Sequence, residues 1–358
     1  MAEKSARRAQ ILAQTGRCVE ANMTSQDDTS QRPILCMGGG LKSAIYINEY
    51  MEFPFSEIQA ATSDFSKENL LGEGGYGHVY KGQLNDDQHI AAKLRKEESF
   101  EGHTEFFTEL QVFRFARHRN IVGLLGYYRE EKETNNVLVY EYICNKSLEW
   151  HLFDQSASLL EWNKRHAIAI GIAKGLRFLH EECRAGPIIH LDLHPSNVLL
   201  THDFVPMLGD FGFAKWKACK DSAKTMIMGQ PGYLAPEYLE RGIASVKTDV
   251  FAFGILLFQL ISGRKVLDEH GGQCTHILQW AEPLVETLVL NGLVDDRIKD
   301  TYDAYGLFHL AKAAYLCIRP NPEQRPSMGE VLRLIEVESE HIREFSRQFI
   351  SHFTKWML

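Results

Sequence analysis

The stretch "LGEGGYGHVYKGQLNDDQHIAAKL", Leu71 to Leu94, decides between two nucleotide-binding architectures. It sets Gly72, Gly74 and Gly77 in the pattern G-x-G-x-x-G, with Val79 two residues on. Glycines let main-chain N–H groups approach phosphate oxygens with no Cβ in the way. Alone the pattern is weak, because a glycine hairpin with no ligand reads the same. A dinucleotide fold would run from the glycines into a helix, with an acidic residue about 20 positions on. Here a second β-prone run follows instead and ends Ile90-Ala91-Ala92-Lys93. A lysine inside an apolar strand is costly unless it pairs. Two partners fit it: nucleotide phosphates, and an acid on the next helix. Glu109, in "EFFTELQVF", is the first candidate and Glu105 the second.

Upstream, residues 1 to about 52 mix Ser, Thr, Gln and Asp with little periodicity, and "TSQDDTSQRP" reads as a loop or flexible linker. From Phe53 the character changes, and "FPFSEIQAATSDF" holds helical spacing. Downstream, "TEFFTELQVFRFA" reads as helix and "NNVLVYEYI" as strand. Beyond that the pattern is mostly helical. Ile168, Ile172, Leu176 and Leu179 recur at spacings that bury one helix face. Further helices are expected over 250–261, 303–317 and 328–350.

Composition narrows the function classes. A formal net charge of −8 gives no electrostatic support to a nucleic-acid or anionic-membrane role. The seven cysteines are odd in number, widely spaced and never CxxC, which argues against a disulfide framework and a zinc site and for reduced thiols. No signal peptide opens the chain, and Ala2 excludes N-myristoylation. The longest apolar run, Val250–Ile261, is too short to span a bilayer and reads as a core helix, so no transmembrane segment is expected.

Three blocks complete the pattern: "HLDLHPSN" (190–197), "GDFG" (209–212) and "GYLAPE" (232–237). With them the chain resembles the protein kinase family. Within it, "FSEIQAATSDFSKENLLGEGGYGHVYKG", "RHRNIVGLLGYY", "LVYEYICNKSL", "GYLAPEY" and "RPSMGEVL" are similar to plant receptor-like cytoplasmic kinases of the Pelle-related group. The resemblance implies an α+β, bilobal protein kinase fold. A small β-rich N-lobe with one key helix would cover about 53–141, and a larger, mainly helical C-lobe about 144–340. A flexible extension over 1–52 and a helical tail over 341–358 would flank this kinase domain.

Residue by residue, the resemblance implies a site for ATP with Mg²⁺, or Mn²⁺ as the alternative ion. Gly72, Gly74 and Gly77 would cover the phosphates, and Lys93, tethered by Glu109, would hold two of them. Asp192 would orient the acceptor hydroxyl and take its proton, while Asn197 and Asp210 would hold the metal. Adenine would lie between Leu71, Val79 and Ala91 on one side and Leu199 on the other. Main-chain groups of Glu141 and Ile143 would meet its edge, and Tyr140 would guard the back. Asp249 resembles a buried acid bracing the catalytic loop, and Glu237 and Arg325 a structural ion pair.

Three departures surround Asp192. Leu191 stands where the family usually has Arg, which resembles the "non-RD" kinases and removes a receptor for phosphate on Ser222 or Thr225. His194 replaces a Lys that neutralises charge on the transferring phosphate, and an imidazole is a weaker, pH-dependent substitute. Gln230 stands where a Thr bridges that Lys and the Asp. Lys93, Asp192, Asn197 and Asp210 all remain. The reading is therefore a slow protein kinase acting on Ser/Thr, with Tyr left open by the altered residues. The alternative is an ATP-binding pseudokinase, a scaffold or allosteric partner of another kinase or receptor. The implied partners are a protein substrate and an upstream membrane receptor, with a cytoplasmic location, membrane-associated through that partner. Ile342, Phe345, Phe349 and Phe353 form an apolar stripe that packs on its own lobe or docks a partner helix. His180, His190 and His194 are not spaced as metal ligands, and His190 is expected to be a structural loop residue.

Overall fold

The structure, a computed structural model, describes residues 50–74, 77–95, 100–130, 135–216, 227–270 and 273–336, with 100–103, 269, 270 and 273 described by backbone alone. The expectations for residues 1–49, for Ser222 and Thr225, and for the stripe from Ile342 to Phe353 lie outside the described residues. The described residues divide into two compact units between Cys144 and Asn145.

In the first unit, short β-prone runs pair into a six-stranded sheet ordered β1-β5-β6-β4-β3-β2. The strands are β1 (Met51–Glu52), β2 (Leu70–Glu73), β3 (Gly77–Gln83), β4 (His89–Arg95), β5 (Leu124–Tyr128) and β6 (Val137–Glu141). The β1–β5 pair is parallel and the others antiparallel, so the sheet takes in residues ahead of the Phe53 boundary that composition suggested. A period of two assigns the faces. Ile90, Ala92, Val137 and Val139 are fully buried and join Phe53 and, from α1 (Phe55–Ala61), Ile58 in one apolar cluster. The opposite face carries Val79, Ala91, Lys93 and Tyr140, because Val79 pairs with Lys93 and Ala91 with Tyr140. Helix α2 (Phe100–Phe113) follows β4 and carries Glu109. It begins four residues before the expected span and stops three residues short of its end.

The second unit is mainly helical: α3 (Leu148–Phe153), α4 (Trp162–Arg177), α5 (Pro236–Arg241), α6 (Val246–Ser262), α7 (Ile277–Glu286), α8 (Ala304–Cys317) and α9 (Met328–Ile335). The stripe of α4 buries as expected, with Ile168, Ile172, Leu176 and Leu179 all at 0% exposure. Leu179 itself lies in a π turn, Phe178–Glu182, that continues the helix. Every residue of α6 from Thr248 to Ser262 is buried, the mark of a helix enclosed on all sides. It is longer than the apolar run alone because Ser245 and Thr248 form a capping box ahead of that run. Helix α9, also opened by a capping box (Ser327 and Glu330), runs to Ile335, and the expected span beyond 336 lies outside the described residues. Glu237 and Arg325 pair through two bonds of 2.7 Å, with Arg325 buried. No described helix is long and apolar enough to cross a membrane. Short strands frame the loops of interest: β7 (Ile188–Ile189) pairs with β10 (Lys215–Trp216), and β8 (Val198–Leu200) with β9 (Pro206–Leu208).

Candidate active site

In the first unit, β4 delivers Lys93 to an acid. Its Nζ donates to Glu109 Oε1 at 2.6 Å, and Glu109 is 1% exposed. Of the two acids considered, it is Glu109 that makes this bond. The Tyr140 hydroxyl donates to the other oxygen, Oε2, so donors from two strands hold one carboxylate. Glu141 turns its side chain to the loop before β5, where Oε1 accepts the Gly123 N–H at 2.7 Å. Ile143 is buried, whereas Leu71 is exposed. The three glycines differ. A Cβ at Gly77 would stand 2.6 Å from the Leu94 carbonyl oxygen, so β3 lies against β4 there only as glycine. Among the described residues, nothing lies within 4 Å of that position at Gly72, and at Gly74 the Gly77 oxygen lies 3.9 Å away.

In the second unit, a buried carboxylate sets the loop. Asp249 on α6 accepts the main-chain N–H groups of His190 at 2.7 Å and Leu191 at 2.9 Å, and also meets His180 Nε2 at 2.8 Å. Leu191 is buried with φ 66°, a left-handed conformation costly for a side chain with a Cβ, so the two bonds impose it. His190 is fully buried; Nδ1 accepts the Asp192 N–H and Nε2 donates to the Gly209 carbonyl at 3.2 Å. Burial holds its imidazole below the usual histidine range despite the acids around it. It is a structural loop residue, as expected.

Asp192 is thereby presented with defined partners. Asn197 Nδ2 donates to Asp192 Oδ2 and to its carbonyl oxygen, both at 2.9 Å. His194 Nε2 stands 3.5 Å from Oδ2. Gln230 does approach Asp192, but through its main-chain N–H to Oδ1 at 3.1 Å, not through the side chain that the missing threonine suggested. Gly229 makes that approach possible: its φ is 112°, and a Cβ would lie 2.7 Å from the Leu191 oxygen. The Gly209 N–H bonds the Asn197 carbonyl at 2.9 Å, which ties the residue before Asp210 to Asn197. Leu199 lies on β8 opposite Met207. Sequence reasoning missed His180, Gly229 and the Tyr140 bond. Only Gly229 left a signal, as the first of two glycines in "GQPG".

A profile of the protein kinase domain matches residues 65–334. The chain belongs to the protein kinase family. It is 39% identical over 310 residues to the proline-rich receptor-like protein kinase PERK13 of Arabidopsis thaliana, covering 85% of this chain and 43% of that protein. It is 38% identical over 299 residues to the serine/threonine-protein kinase CDG1 of the same plant, covering 81% of this chain and 68% of the relative. The chain thus spans less than half the length of the proline-rich relatives it matches, PERK13 and PERK12, at 43% and 42%. The likeness to plant receptor-like kinases inferred from the sequence motifs is borne out.

Kinase domains use ATP and a divalent cation generally, and the residues present fit both. No packing contact among the described residues fills the space a Cβ would take at Gly72, which leaves room for phosphate oxygens to approach its main chain. Among the described residues no group of three or more His, Cys, Asp or Glu could hold a metal alone.

Proposed function

We propose that the chain is an ATP-dependent protein kinase that phosphorylates Ser or Thr in a protein substrate, slowed by Leu191, His194 and Gln230. Its kinase domain would take in residues 53–340. The observation that carries this reading is the pairing of Asn197 with Asp192 in a loop whose main chain is fixed from α6. A chain released from catalytic need has no reason to keep that carboxylate so closely partnered.

With nucleotide and metal bound, the cofactor supplies the phosphoryl group and the charge that neutralises it. The rest falls to the protein. Lys93, its ammonium already aimed by Glu109, binds the α- and β-phosphates beneath Gly72, Gly74 and Gly77. Val79, Ala91, Leu71 and Leu199 enclose the base, Glu141 and Ile143 offer it main-chain groups, and Tyr140 limits the pocket while steadying Glu109. Asn197 and Asp210 hold Mg²⁺, or Mn²⁺ in its place. Asp192 orients the acceptor hydroxyl and receives its proton, with the His194 imidazole standing beside it. The family's Ser/Thr preference, printed in the name of CDG1, supports the acceptor class. The likeness to receptor-like kinases supports a cytoplasmic location beneath an upstream receptor as part of the same proposal.

Purified chain should transfer label from ATP to itself or to a basic acceptor protein, and Asp192→Asn should abolish transfer while keeping nucleotide binding. Equal background from both proteins would instead leave the pseudokinase reading.

A further inference from the structure

Two side chains outside the site described above stand behind it: Tyr233, in the loop before α5, and Gln259 on α6. The Tyr233 ring is 7% exposed, and its hydroxyl donates to Gln259 Oε1 at 2.9 Å. Gln259 is fully buried on α6, and its Nε2 donates to the Arg264 carbonyl at 3.4 Å, so both ends of the amide are engaged. The main chain at Tyr233 is held as well. Its N–H donates to the Gln230 carbonyl at 3.2 Å, and the preceding carbonyl, of Gly232, accepts His276 Nε2 at 2.9 Å. The His276 tautomer is fixed, because its Nδ1 accepts the Leu278 N–H at the start of α7.

Against this fixed ring lies His194. The two ring centroids are 5.8 Å apart and the planes inclined at 42°. His194 needs such a wall. Its Nε2 lies 3.5 Å from Asp192 Oδ2, too far for a firm hydrogen bond, so Asp192 alone does not fix the imidazole. The χ2 torsion of a histidine is soft, and packing normally decides where the ring stands.

We propose that Tyr233, anchored by Gln259, is a positioning residue that sets where the His194 imidazole stands relative to Asp192. The order of dependence runs Gln259, Tyr233, His194, Asp192. Its kinetic consequence rests on the kinase reading; its structural consequence does not. Tyr233→Leu removes the wall, whereas Tyr233→Phe keeps the ring and loses only the anchor bond.

The test uses the full chain and two readouts. In the first, ring carbons of histidine are isotopically labelled and the His194 signal is assigned by its loss in His194→Gln. Loss of the aromatic ring should move that signal strongly in Tyr233→Leu, and loss of the anchor bond should move it by a smaller amount in Tyr233→Phe, whose ring remains. In the second, Tyr233→Leu should lower kcat about tenfold through misplacement of a group at the reacting centre. That loss should vanish when His194→Ala is already present, as it must if one residue acts through the other. An unmoved His194 signal in a Tyr233→Leu protein of wild-type melting temperature would overturn the proposal. So would a tenfold loss that persists without His194. If Tyr233→Leu fails to fold, Gln259→Met makes the same test: a displaced His194 signal supports the anchor and an unmoved one refutes it. Wild-type protein with no turnover would refute the kinase reading, and the spectrum would still decide this one.

Discussion

Truncating Glu109 would take one bond each from the Lys93 ammonium and the Tyr140 hydroxyl. Breaking a buried ion pair from one side is strongly destabilising, so Glu109→Ala should cost about 3 kcal/mol. Tyr140→Phe deletes only one donor and should cost about 1 kcal/mol. Chemical unfolding of the two variants would check both the order and the gap. The Lys93 partnership was legible in the sequence because a lysine in an apolar strand demands an acid. The Tyr140 bond was not, since a tyrosine in a buried strand is explained by packing alone. Gln230 shows a deeper limit: what it brings to Asp192 is a main-chain N–H, a group every residue but proline carries.

Between β2 and β3, two glycines of one motif should behave in opposite ways. Gly77→Ala forces a Cβ against the β4 main chain and should destabilise the protein by about 1–3 kcal/mol. Gly72→Ala meets nothing among the described residues, so its melting temperature should match wild type while its KM for ATP rises. Melting curves and a nucleotide titration separate the two; equal destabilisation would mean both glycines serve packing alone. Apolar periodicity located α4, α6 and α8, and placed both ends of α8 to within one residue, but it missed the start of α6. The capping box of α6 lies outside its apolar run, and the π turn after α4 keeps the spacing of an ordinary helix. Helix α2 extends into a start, residues 100–103, with little apolar periodicity.

Acid should weaken the second unit before its carboxylates titrate. Burial depresses the proton affinity of His151 on α3, His166 on α4 and His309 on α8. Each therefore holds a proton less readily folded than unfolded. Above about pH 6.5, the ordinary histidine value, neither state is protonated and stability is unaffected. As pH falls below it, the unfolded chain takes up protons that the folded one refuses, and stability declines toward the lower folded values. Melting temperature should drop by about 3 °C from pH 7 to 5.5, and His309→Leu should recover part of the drop. A flat profile over that interval would contradict the burial of these rings.

Asp249 grips the loop that carries Asp192 by the main chain of His190 and Leu191, not by their side chains. The mount and the tool are thus separate parts. Letters can change at 191 and 194 while the scaffold beneath keeps its shape, which is how a lineage could exchange one charge arrangement for another without passing through an unfolded ancestor. The same separation offers an engineer a cassette: residues 191–194 can be rewritten on this chassis and the resulting rates compared directly, with the fold as a constant.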